Sequence, residues 1–244
     1  MATTYLLRWT AIALSVALAG IALQPLPSTA RSRYRPPSNL VRPAGRQGAA
    51  TRTDCAKAGF TFAPVVPESN YGLTAAEYPT LYWYHVNHQF SWARFELYAA
   101  QPQTLELESD PIYQTTFRLN RETRLASLTL PAAVGLPPLA PGRDYLWKVT
   151  LICSQGGPDD DMASGSQRSV QGWIARVAPE AGSNAKVANA SDRYDGYNAY
   201  AEKGLWYDAI HDLAVRRKLQ PQNAQLRLDW RDLLQETRLK SADL

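Results

Sequence analysis

The sequence predicts an α+β fold, in which an antiparallel β-sandwich of the immunoglobulin or fibronectin type precedes a short tail of three helices. Three observations carry this. From Leu81 to Val177 the chain reads as short apolar or alternating runs split by Pro and Gly, with no helical pattern between them. After Val177 the composition shifts to Ala, Gly, Ser and Asn through about Ala190, which marks a boundary. Beyond it the apolar spacing becomes helical, most clearly in "GLWYDAIHDL" from Gly204 to Leu213.

The N-terminus carries one cation, Arg8, then the apolar run Ala11 to Leu23 and a polar stretch ending "STA" at Ser28 to Ala30. The run falls short of the about 20 residues that span a bilayer, and no Cys lies at its end. Residues 1–30 therefore read as a signal peptide cleaved after Ala30, which predicts a periplasmic or extracellular protein of the cell envelope. No second long apolar segment follows, so no transmembrane span is expected after cleavage.

Residues 31–53, "RSRYRPPSNLVRPAGRQGAATRT", lack any apolar period and are expected to form a basic disordered linker. The linker's arginines read either as a solvated spacer or as a tether to anionic envelope polymers or headgroups. The chain has 26 Lys and Arg against 22 Asp and Glu, and seven of those cations precede residue 54, so the remaining 19 leave the body at net −3. Basicity belongs to the leader. A nucleic-acid partner is excluded on that ground, since such binders cluster cations on a folded face.

Cys55 and Cys153 are the two cysteines. An even pair in an exported chain predicts a disulfide. Closing so long a loop stabilises by up to about 4–5 kcal/mol in the chain-entropy model.

The β-domain is assigned to residues 54–180. "LYWYHV" from Leu81 is a continuous apolar and aromatic run, the pattern of a strand covered on both faces. "WARFELY" alternates, with Ala93, Phe95 and Leu97 on one side and Arg94 and Glu96 on the other. "IYQTTFRL" groups Tyr113, Thr115, Phe117 and Leu119, and "LASLTL" groups Ala126, Leu128 and Leu130. After a Pro-Gly turn, Tyr145, Trp147, Val149, Leu151 and Cys153 share one face, which puts the Cys153 sulfur in the core. "SVQGWIARV" supplies the last strand.

The tail is assigned to residues 191–240. Ser191 and Asp192 are positioned to cap a helix in which Tyr194, Tyr197 and Ala201 recur, and Gly204 ends it. The second helix runs from about Leu205 to Leu219, with Trp206, Ala209, Ile210, Leu213 and Ala214 in one stripe and Pro221 beyond its end. The third places Leu226, Trp230, Leu233 and Thr237 on one face. Gly204, Tyr207, Ala209 and Pro221 with Asn223 resemble the corresponding positions of a tetratricopeptide repeat. One repeat and a helix fall below the about three units such arrays need. Their apolar stripe therefore requires cover from the sandwich, with Trp173 and its neighbours as the expected source.

The order "GLTAAEYPTLYWY", "YLWKVTLIC", "QGWIARV", "GLWYDAIHDLAVRR" resembles the domain of unknown function 928, a family found mainly in exported proteins of cyanobacteria. The resemblance covers roughly residues 53–240 and is most specific in the last two motifs. It implies an envelope setting, with no established activity to carry over.

Chemistry-bearing motifs are sparse. His85 and His88 fall on opposite faces of a continued strand, two ligands where zinc takes three or four, and His211 reads as an exposed helix flank. No nucleophile elbow, phosphate loop or zinc-protease motif occurs. Asp159, Asp160 and Asp161 offer calcium-type oxygen ligands, without the alternating spacing of an EF-hand loop. Tyr82, Trp83, Tyr84 and Trp92, with Tyr98 and Trp173, could form a platform for sugar rings or fill the core. The expectation is a non-enzymatic envelope protein with no cofactor, acting as an interaction scaffold for a protein or peptide. The alternatives are a polysaccharide-binding module and an uncharacterised hydrolase.

Overall fold

The computed structural model describes residues 34–37, 54–101, 104–153, 167–178, 196–237 and 239. The expected signal peptide of residues 1–30, most of the linker, Asp159 to Asp161, and Ser191, Asp192 and Tyr194 lie outside the described residues.

Among the described residues, eight strands are arranged in two sheets, β1 Ala56–Pro64, β2 Tyr71–Thr74, β3 Thr80–His88, β4 Trp92–Ala99, β5 Tyr113–Arg118, β6 Leu125–Thr129, β7 Asp144–Ile152 and β8 Gln167–Arg176. One sheet has the order β1-β3-β6 and the other β2-β8-β7-β4-β5. The alternating runs behave as their period dictates. Phe95 of β4 pairs with Val149 of β7, and Ala93, Phe95 and Leu97 share a buried cluster with Tyr145, Trp147, Val149 and Leu151. Trp83 of β3 meets Phe117 of β5 across the sheets, ring centroids 6.3 Å apart, so the core lies between the two layers. Cys55, just before β1, is joined to Cys153, just after β7, with Cα atoms 5.9 Å apart. The bridge thus ties one sheet to the middle strand of the other. Cys153 is half-buried at the core's margin rather than at its centre.

Two strands precede the expected start at Leu81. β1 is masked in the sequence by an irregular register between Ala56 and Thr61 and by Gly59 at φ 74°. β2 has only four residues and pairs with β8 in parallel, so the sheets are mostly rather than wholly antiparallel. The chain leaves the first sheet after β1 and joins the edge of the second with β2.

The tail forms α1 Gly196–Glu202, α2 Trp206–Leu219 and α3 Ala224–Leu234. Gly204 sits at φ 73° between α1 and α2, a left-handed turn that favours glycine. Asn223 caps α3, its side chain accepting from the backbone N–H of Gln225 and Leu226. Thr237, expected on the α3 face, lies past the helix end. There the chain turns back on the β1–β2 link, Thr237 bridging Pro67 and Glu68 N–H donating to Glu236 O at 2.9 Å.

Candidate functional site

The first turns of α2 fasten the helices to both sheets. Trp206 Nε1 donates to Val65 O at 2.9 Å. Tyr207 Oη accepts from Trp147 Nε1 at 2.8 Å and donates to Trp173 O at 2.9 Å. Asp208 accepts from Ala75 N–H at 3.0 Å, and burial raises its carboxyl above the usual carboxylate range against the pull of the Ala75 and Thr74 hydrogen bonds. Further along, Tyr82 Oη pairs with His211 Nδ1 at 2.9 Å, and burial pushes the Tyr82 phenol up to about 12. Trp206, Tyr207, Ala209, Ile210 and Leu213 are buried, so α2 presents a wide apolar face and not a single stripe. Gly72 of β2 admits it, since a Cβ there would lie 2.9 Å from Tyr207 Cε2 and 3.0 Å from Trp206 Cβ.

Trp173 does not cover the stripe with its ring. That ring packs with Tyr71, Leu146 and Ala175 in a separate cluster, while its backbone carbonyl accepts from α2. Strand alternation is the reason: Trp147 and Ile174 face the main core, so Trp173, beside Ile174, faces away.

Part of the expected linker is seated at the α1–α2 turn. Tyr34 is buried, with its ring edge against Trp206 at a centroid distance of 4.9 Å. Arg35 N–H donates to Ala201 O at 3.0 Å. Arg35 O lies so near Gly204 that a Cβ there would approach it to 2.8 Å, and Pro37 Cδ would be 3.6 Å away. Arg35 and Pro36 face solvent. A segment read as disordered on composition is held because a ring finds an aromatic pocket that local sequence cannot reveal.

At the far end of β3 the two histidines meet instead of pointing apart. His85 Nδ1 and His88 Nε2 are 2.8 Å apart and share a hydrogen bond. Asn87 at φ 56° breaks the strand's alternation and swings His88 onto the His85 side. His85 is buried, and burial followed by His88 brings its pKa down to about 4; His88 is lowered by burial and then by Arg121. His85 borders an open polar cleft of about 420 Å³ lined also by Tyr84, Asn87, Arg121 and Arg124. In the bond between the two rings one imidazole donates and the other accepts. Among the described residues, no group of three or more His, Cys, Asp or Glu is placed to hold a metal ion.

The proposed sugar platform is not an open surface. Tyr82, Trp83 and Tyr84 are buried, and Trp92 is half-buried under the Arg118 guanidinium, 4.8 Å from the ring centroid. As its continuous run predicts, β3 is covered on both faces through His85, by the core on one side and in part by α2 on the other. His211 is exposed, as expected, while still bonded to Tyr82.

The family described as Domain of Unknown Function (DUF928) matches residues 47–243. The chain belongs to that family. No curated protein matches it. In this DUF928 chain the matched span contains every described strand and helix, and so the whole wall against which Tyr34 packs. The seated residues 34–37 lie outside it. No described helix is long and apolar enough to cross a membrane.

Proposed function

We propose that this DUF928 protein is a non-catalytic interaction scaffold of the cell envelope that binds a partner protein or peptide. The observation that carries the reading is the seating of an extended segment, Tyr34 to Pro37, on the α1–α2 turn by a buried ring and a backbone hydrogen bond. Surfaces that hold one extended segment through main-chain bonds and a side-chain pocket have the chemistry of peptide recognition. The disulfide supports an oxidising compartment. The transfer from β1 in one sheet to β2 alongside β8 in the other supports an immunoglobulin-type sandwich. The Gly204 turn, buried Tyr207 and Ala209, and Pro221 after α2 support a tetratricopeptide-type helix pair. A non-catalytic role is favoured because His85 and His88 bond each other, and the hydroxyl that His211 meets belongs to Tyr82, a phenol that burial pushes up to about 12.

Photo-crosslinkable side chains at the exposed Glu202 and Lys203, beside the seated segment, test the reading in living cells. Discrete adducts from both, and none from a control at exposed Val134, are the expected result. Equal labelling at all three sites, or no adducts at Glu202 and Lys203, would remove it.

A further inference from the structure

We infer that the α1–α2 turn is an exchangeable site for an extended aromatic-x-Pro-Pro segment of another protein, and that Tyr34 to Pro37 occupies it in cis as a tethered stand-in. This rests on the scaffold reading and specifies its ligand.

The contacts define the chemistry. The aromatic ring supplies the anchor, buried edge-on to Trp206. Arg35 contributes only main chain, its N–H to Ala201 O and its carbonyl against Gly204, while its side chain faces solvent. The variable position therefore carries no side-chain readout. Pro36 and Pro37 fix their own φ and hold the preceding residues extended, which lowers the entropy lost on seating. Tyr34 Oη is buried with no hydrogen-bond partner among the described residues, so the pocket reads ring shape and not the hydroxyl. Phenylalanine fits it at least as well.

The wall and its occupant differ in kind. Trp206, Gly204 and Ala201 lie within the span that matches DUF928, whereas the occupant lies before it, joined through residues 38–53. A segment carried on the same chain as its site competes with a free one at an effective concentration of roughly 1 mM. One ring, one hydrogen bond and two prolines make a modest hold, which a free segment of like chemistry can displace near that concentration.

The test uses the chain from residue 31 onward, a compact unit, and a synthetic peptide of its own residues 31–40 as probe. Added at about 2 mM, the peptide should raise hydrogen exchange at the Arg35 amide by roughly ten-fold or more, because a displaced amide loses its bond to Ala201 O. A peptide with Phe at the Tyr34 position should displace at least as well, and peptides with Ala there, or with Ala for both prolines, roughly ten-fold less. In the Tyr34→Ala protein the labelled peptide should bind at least about ten-fold more tightly than in the unaltered chain, whose site is filled. An Arg35 exchange rate that the peptide leaves unchanged would make the segment permanent cover and overturn the inference. So would faster exchange spread over all three helices, which reports unfolding. A concentration-dependent dimer dissolved by the peptide would hand the site to a second copy, and this too overturns it. Failure here leaves the crosslinking result standing, whereas peptide displacement without crosslinks removes the scaffold reading, and with it the partner in trans, leaving only exchange of the cis segment.

Discussion

At the scale of single residues, the histidine pair shows how one backbone angle redirects side chains. Alternation along β3 separates His85 from His88, but Asn87 adopts φ 56° and brings them within 2.8 Å. The pair makes stability depend on acidity with a definite sign. His85 titrates at about 4 in the fold and near 6.5 when exposed, so between those values the unfolded chain binds a proton that the folded pair refuses. Stability is therefore full above the unfolded value and falls as the pH drops towards the folded one, by roughly 3 kcal/mol in all. Urea midpoints measured across that window should show the fall, and a His85→Asn variant should lose most of it. An unchanged slope in the variant would mean that other groups carry the dependence.

At the scale of elements, α2 is decisive. Its helical period is plain in the sequence, and its observed span matches the expected one to a residue. What it lies on was not legible. Gly72 is an unremarkable letter in a short edge strand, yet its missing Cβ is what lets Trp206 and Tyr207 approach the sheet. Gly72→Ala should cost about 1–3 kcal/mol, through displacement of α2 or strain in the two rings. Near-UV circular dichroism together with a denaturation midpoint checks this, and an unaltered midpoint would show that the seam has slack. The strands divide the same way. Those with clean alternation, β4 and β7, were readable. β1, with its irregular register, and the four-residue β2 were not, because a short or bulged strand leaves too few repeats of period two to count.

At the scale of the whole molecule, residues 31–244 form one compact unit in which Trp206, Tyr207 and Asp208 of the helical tail bond to Val65, Trp173 and Ala75 of the β-half. Neither part buries its apolar face alone, so both should unfold in one transition. Far-UV ellipticity and tryptophan fluorescence should trace the same denaturant curve. Reducing the Cys55–Cys153 bridge, which spans a sequence separation of 98, should lower the midpoint by an amount worth up to about 4–5 kcal/mol without splitting the curve. Two separated transitions would show that the seam holds less than its hydrogen bonds suggest.

What the sequence by itself determined was local and periodic: which faces of β4, β7, α2 and α3 are apolar, and which two sulfurs pair. These follow from side-chain order along one element, and the cysteine pair from number and context. Only the tertiary structure decided that the aromatic rings of β3 are buried, that His85 and His88 touch, that Trp173 turns away from the helices, and that Tyr34 docks. Each depends on a neighbour distant in sequence or on a left-handed backbone angle, and neither leaves a period in the chain to read.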